Sequence, residues 1–186
     1  MTSPRTATAK SLLRAQIRAA RDVFVAIEAP TIPVPDALRE RLSHGVTIAS
    51  YVPLGSEADP SPLARAAVAA GCAVALPHVV SRAEPMRFLA WDAEDDLVPG
   101  AFGLHQPHHA APALAPDIIL TPLVAFDASL NRLGQGAGHY DRAFALFPDA
   151  WRLGVAWSVQ EVDALPVDAW DVPLHAIVTE QGLMLR

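Results

Sequence analysis

The stretch Asn131-Arg-Leu-Gly-Gln-Gly-Ala-Gly-His-Tyr-Asp-Arg142 sets Gly134, Gly136 and Gly138 at alternate positions, with Tyr140, Asp141 and Arg142 close behind. Glycine lets successive backbone N–H groups turn toward a ligand with no Cβ in the way. Such a run of N–H groups forms a nest for an anion. Apolar residues at helical spacing follow in Tyr140–Phe147, which predicts a helix starting near Gly138. A glycine loop feeding a helix N-terminus suits phosphate. Asp141 is then a candidate metal ligand, and Arg142 a candidate to neutralise phosphate charge. The spacing is neither the dinucleotide fingerprint nor the P-loop, and a glycine-rich surface turn also accounts for it.

The elements around this loop favour the ligand reading. Asp117–Phe126 reads as a buried strand running into a loop, the place where open α/β sheets hold ligands. Helices are expected over about residues 8–28, 36–43, Ser61–Ala70 and Tyr140–Phe147. Strands are expected at Val46–Val52, Cys72–Leu76, Met86–Ala90, Asp117–Leu123, Arg152–Ala156 and Ala176–Thr179, with an edge at Leu183–Arg186. This alternation predicts an α/β fold with a largely parallel sheet between helices. Pro99–Pro116, rich in proline, histidine and alanine, reads as one long loop.

Composition narrows the classes. The 186 residues fit one domain, residues 1–186. With 52% hydrophobic and 18% charged residues, the chain can bury a core. No apolar run approaches the roughly 20 residues that span a bilayer. A net charge of −6 gives no general attraction to nucleic acid. The single cysteine, Cys72, reads as a small core residue, and Trp151, Trp157 and Trp170 as core or interface packing. His105, His108 and His109 lack further ligands at metal spacing and read as a solvated loop, as does the acidic run Trp91–Asp96. The basic, acid-free first 21 residues fit an amphipathic first helix as well as a transit peptide. There is no apolar signal-peptide core, so a cytoplasmic protein is expected. Of fourteen basic residues only Lys10 is a lysine, placed on the face of that helix that also carries Arg14. A solvated face explains it without function.

Taken together, Asp117–Asp127 and the run Arg132–Arg142 resemble the signature of the 5-formyltetrahydrofolate cyclo-ligase family, also called 5,10-methenyltetrahydrofolate synthetases. Lys10–Arg14 is similar to that family's K-x-x-L-R. Tyr51–Glu57, Leu76-Pro77, Met86–Phe88, Gly100–Leu104, Gln106-Pro107, Gln160, Leu165-Pro166, Asp171 and Ile177–Glu180 follow in its order, so the resemblance covers nearly the whole chain.

The resemblance implies a three-layer α/β/α domain that closes 5-formyltetrahydrofolate to 5,10-methenyltetrahydrofolate with ATP, releasing ADP and phosphate. It implies ATP and a reduced folate as partners, Mg2+ as cofactor, no nucleic acid, no membrane, and a monomer. Lys10, Arg14, Arg132, Gly134, Gln135, Gly136, Ala137, Gly138, His139, Tyr140 and Arg142 are then expected at ATP. Glu57, Phe102, Gln135, Gly136, Ala137, Gly138 and His139 are expected at the folate, with Glu57 anchoring the pterin end and Phe102 stacking along it. Asp141 and Asp171 are expected to hold Mg2+. Glu57 alternatively reads as an acid placed for a helix dipole.

Some positions depart from the family pattern. His139 replaces an aromatic residue usual before Tyr140; Gln135, Ala137, Asn131 and Pro60 also differ, and Phe102 stands where tryptophan is common. These bear on folate affinity more than on nucleotide binding. Two alternatives stay open: a catalytically weak relative that binds nucleotide, and ATP-dependent phosphotransfer to another acceptor.

Overall fold

The structure, a computed structural model, describes residues 4–28, 30–92, 95–168 and 171–185. Its centre is a seven-stranded sheet built from β1 (Thr47–Ala49), β2 (Ala73–His78), β3 (Arg87–Ala90), β6 (Ile118–Pro122), β9 (Trp151–Val155), β10 (Ala176–Thr179) and β11 (Gly182–Leu185). Two short hairpins stand outside it: β4 (Val98–Pro99) with β5 (His105–Gln106), and β7 (Ala125–Phe126) with β8 (Arg132–Leu133). The helices are α1 (Pro4–Glu28), α2 (Asp36–Arg39), α3 (Ser61–Ala69) and α4 (His139–Leu146).

The sheet order is β11-β10-β9-β6-β1-β2-β3. The inner strands pair in parallel, and the two edge strands, β3 and β11, run antiparallel to their neighbours. Alternation along β6 explains the layers. Ile118 and Leu120 pack into one core with Ile48, Leu63, Leu153 and Val178, while Ile119 points the other way, to Phe88, Phe144 and Ile177. Successive strand side chains face opposite sides of a sheet. Both faces are therefore apolar and each is covered by helix, α3 on one and α4 on the other. The outcome is the expected α/β/α sandwich.

The order reverses between β1 and β6, since the chain first builds outward to β2 and β3 and later returns to the other side of β1. A crevice forms beyond the carboxyl ends of strands at such a switch point. A third, smaller core of Ile17, Val124, Ala125, Leu133 and Leu165 fastens the middle of α1 to the β7–β8 hairpin. Full burial of Ile17 is worth about 1.5–3 kcal/mol, and it brings the first helix to the crevice.

Several expectations are corrected in detail. The second helix covers only Asp36–Arg39, because the chain turns at Glu40–Arg41. Residues 99–116 are not a plain loop: the β4–β5 hairpin folds there, closed by a turn in which Phe102 adopts φ 61°. Asp117 lies outside β6 and caps the neighbouring strand instead, accepting the Thr47 N–H at 2.8 Å. Trp170, Glu94 and Arg186 lie outside the described residues. Cys72 is buried, as expected, and Trp157 is in the core, its Nε1 donating to the Ser56 carbonyl at 2.9 Å. Among the described residues no helix is long and apolar enough to cross a membrane.

Candidate active site

The glycine loop leaves β8 and enters α4 directly. Gly136 (φ 100°) and Gly138 (φ 68°) hold left-handed backbone conformations, which cost a residue with a Cβ roughly 1–2 kcal/mol. Gly138 is the N-cap of α4 and offers no side chain, so the first N–H groups of the helix are left for other partners. The helix begins at His139, one residue from the expected start.

Around this loop lies a cavity of about 550 Å³ at the switch point. Tyr51, beyond the end of β1, and Pro122, at the end of β6, form its floor. Lys10 and Arg14 enter from α1, Glu57 from the segment after β1, Phe102 from the β4–β5 turn, and Arg132 with Gly134–Asp141 from the loop and α4; Asp168 and Asp171 complete it. Residues more than 150 positions apart in the sequence thus meet in one wall.

The contacts are specific. Arg14 Nε donates to the Gly134 carbonyl at 2.8 Å. Glu57 Oε2 accepts the Leu54 N–H at 3.0 Å and Glu57 Oε1 accepts Gln135 Nε2 at 2.9 Å. Arg18 donates to the Gln135 amide oxygen, which ties α1 to this pair. Asp59, not Glu57, does the helix-capping work, accepting the Ser61 N–H at 2.9 Å. The carboxylate of Glu57 is thereby kept for the cavity. The ring of Phe102 packs against His139 at 6.4 Å between centroids.

Two placements differ from the sequence reading, and a third decides between its two alternatives. Arg142 does not line the cavity. It donates to the Ala137 carbonyl at 3.2 Å and to the Arg82 carbonyl at 3.1 Å, and meets His139 Nδ1 at 3.0 Å, so it braces the loop from behind. Lys10 is not on a solvated face: its side chain is 11% exposed, and Nζ lies 2.8 Å from Asp168 and 2.7 Å from Asp171. Asp141 is not a lone carboxylate, since its Oδ1 is 2.6 Å from Arg132 Nη2. The sequence reading does not include Asp168, although its Asp-x-x-Asp spacing to Asp171 is a signal that could have found it.

Electrostatics follow from burial. Burial, with Arg142 and Arg82 nearby, pulls His139 below its ordinary value, so its ring is neutral near pH 7. Burial and the Glu57 charge push the Tyr140 and Tyr51 phenols up, and both remain protonated. Burial alone would lower the Lys10 ammonium, but its bonds to Asp168 and Asp171 outweigh that and raise it. Arg132 Nε and His139 Nε2, on two residues that line the cavity, are buried without a hydrogen-bond partner. Unpaired donors clustered at the loop suit an anionic ligand.

The same wall bears on a metal. Among the described residues no three His, Cys, Asp or Glu side chains gather as a metal site, and His108 and His109 stack on each other at 4.2 Å. Asp141 and Asp171 each commit one oxygen to a cation. Mg2+ is commonly held through one or two carboxylates together with phosphate oxygens, so this donor set fits it. The acidic residues Asp92, Asp95 and Asp96 belong to a separate cavity of about 670 Å³ away from the loop.

Fold and site together define an α/β protein with a phosphate-suited glycine loop at the switch point of a mainly parallel sheet. The chain belongs to the 5-formyltetrahydrofolate cyclo-ligase family, whose family model matches residues 6–180. It is 36% identical over 145 residues to the 5-formyltetrahydrofolate cyclo-ligase of Escherichia coli K12, spanning 72% of this chain and 77% of that one. The Mycolicibacterium smegmatis 5-formyltetrahydrofolate cyclo-ligase is 32% identical over 165 residues, 80% of this chain and 84% of its own. Among solved structures, the Aquifex aeolicus 5,10-methenyltetrahydrofolate synthetase superposes with a TM-score of 0.72 at 29% identity, covering 95% of this chain and 92% of that one. The Mycoplasma pneumoniae 5,10-methenyltetrahydrofolate synthetase gives 0.70 at 26% identity, with 92% and 98% covered.

Proposed function

We propose that this protein closes 5-formyltetrahydrofolate to 5,10-methenyltetrahydrofolate, driven by ATP and releasing ADP and phosphate. Besides family membership, one observation carries the reading. The folate-directed side chains, Glu57 and Phe102, share a single cavity with the phosphate-directed group of Lys10, Arg14, Arg132 and the glycine loop.

The chemistry needs that sharing. A formamide oxygen is a poor leaving group. The formyl oxygen attacks the γ-phosphorus of ATP, the bond to ADP breaks, and an iminium phosphate results. The neighbouring folate nitrogen then attacks the formyl carbon, loses its proton, and phosphate departs with the former formyl oxygen. Phosphoryl transfer asks chiefly for positioning and charge neutralisation. Gly136 and Gly138 bend the backbone so that loop N–H groups can meet phosphate. Arg14 and Arg132 supply positive charge from two sides, and Lys10 a third. Glu57 orients the pterin end through its carboxylate, itself held by Leu54 N–H and Gln135. Phe102 and His139 present ring faces to a flat ligand. Mg2+ held by Asp141 and Asp171 would supply further charge neutralisation at the phosphates. The proposed protein is a monomer that acts in the cytoplasm.

Mixing the protein with ATP, Mg2+ and 5-formyltetrahydrofolate tests this. The near-ultraviolet absorbance of the methenyl product should rise only when all three are present. A flat trace with folded protein refutes the assignment.

A further inference from the structure

The ammonium of Lys10 lies between two carboxylates, 2.8 Å from Asp168 Oδ2 and 2.7 Å from Asp171 Oδ2. The three side chains are 11%, 12% and 23% exposed, so the group is well shielded from water. The Asp168 backbone N–H also donates to Asp171 Oδ2 at 2.8 Å, which fixes the two acids relative to each other. These residues join α1 to a segment about 160 positions later, at the rim of the cavity.

The two carboxylates face different demands. Asp171 is the one expected to hold the metal. A divalent cation and an ammonium on the same carboxylate repel each other strongly in a shielded site. Mg2+ on Asp171 therefore weakens that acid's hold on the Lys10 ammonium. A lysine that lost its only partner would swing out on its flexible stem, since ordering such a side chain costs about 1.5–2 kcal/mol. The second acid removes that problem.

We propose that Asp168 is a positioning residue: it holds the Lys10 ammonium at the cavity wall on its own, so that Asp171 can be released to the metal without Lys10 leaving the site. Lys10 thereby stays poised for a phosphate oxygen. The idea rests on the cyclo-ligase reading for the metal and nucleotide, but the arrangement can be tested without turnover.

The sole lysine makes the test direct. Protein labelled with nitrogen-15 at lysine Nζ gives one side-chain ammonium signal in NMR, and its hydrogen exchange with water reports how firmly the group is held. The Asp171→Asn variant withdraws the Asp171 charge, as metal binding does. In ligand-free wild type the signal should exchange slowly. It should stay slow in Asp171→Asn, and speed up at least tenfold in Asp168→Asn, with Asp168→Glu recovering part of the protection. The Km for Mg-ATP should rise in Asp168→Asn more than kcat falls. Slow exchange retained in a folded Asp168→Asn, or lost in Asp171→Asn, overturns the proposal. If Asp168→Asn does not fold, Asp171→Asn decides alone: protection kept supports it and protection lost ends it. An inactive protein that still shows this pattern would tell against the cyclo-ligase assignment and not against the role of Asp168.

Discussion

Arg132 Nη2 lies 2.6 Å from Asp141 Oδ1, so one ion pair spans the glycine loop from the strand that enters it to the helix that leaves it. The arginine side chain is 5% exposed and the aspartate 27%. The guanidinium also lies over the Phe144 ring, 5.0 Å from its centroid. The loop is thus closed electrostatically at its ends while its middle stays open to a ligand.

This pair changes what Asp141→Asn is expected to do. A lone carboxylate at a helix start would affect activity and leave folding intact. Here its removal leaves a buried guanidinium short of a partner, a defect that costs about 1–3 kcal/mol. Urea unfolding should show that loss, alongside weaker Mg2+-dependent activity. An unchanged unfolding midpoint would mean that the ion pair holds nothing together.

Glu57→Gln should act on the folate side. The amide keeps an acceptor oxygen but loses the charge that both Leu54 N–H and the pterin end would meet. A charge-assisted hydrogen bond is worth about 1.5–3 kcal/mol, so the folate Km should rise by about ten- to a hundredfold. The ATP Km should move much less. Steady-state kinetics varying each substrate separates the two, and equal effects would place Glu57 elsewhere in the chemistry.

Gly154 tests the frame that carries the site. A Cβ there would sit 2.6 Å from Leu174 Cδ1, 3.0 Å from Leu123 Cδ2 and 3.1 Å from Ile177 Cγ1. Gly154→Ala therefore overpacks the core by about 1–3 kcal/mol. For a chain of this size the melting temperature should fall by about 2–12 °C. Thermal unfolding without a shift would show that β9 packs more loosely than described.

His139 gives a pH dependence. Its native pKa is lowered, first by burial and then by the Arg142 and Arg82 charges, from the ordinary 6.5. Above that value both native and unfolded chains carry it neutral, and it contributes no slope. As pH drops below it, the unfolded chain binds a proton that the native state resists, so stability falls until the native pKa is reached. His139→Phe should reduce this acid-side loss when urea midpoints at about pH 7.5 and about pH 5.5 are compared. His78, also lowered by burial and then Arg87, leaves a residual slope. An identical slope in the variant would assign the whole effect to other groups.

Much of the frame is legible in the sequence because it rests on local rules. Continuous apolar runs mark β6 and β10, which are buried on both faces, and the glycine run marks the start of α4 to within a residue. The short segments are not legible. The β4–β5 hairpin turns on Phe102 at φ 61°, a conformation no local glycine at that position announces. The site residues were legible by type, and the partners they choose were not. Lys10 with Asp168, and Arg132 with Asp141, depend on how α1 and the loop are folded back. Long-range packing settles that, including Ile17 against Leu133 and Leu165 and Phe24 against Trp157. Arg142 shows the converse, for its sequence neighbours point to phosphate while its actual contacts are Ala137, His139 and Arg82.

The most direct measurement of the central claim is stoichiometry. Purified protein, Mg-ATP and 5-formyltetrahydrofolate are combined, and ADP release is followed beside the near-ultraviolet absorbance of the methenyl product. Coupled phosphoryl transfer and ring closure predict one ADP for each methenyl group formed, with ADP release falling to background when the folate is omitted. ADP released at the same rate without the folate, or product formed without ADP, would contradict the account.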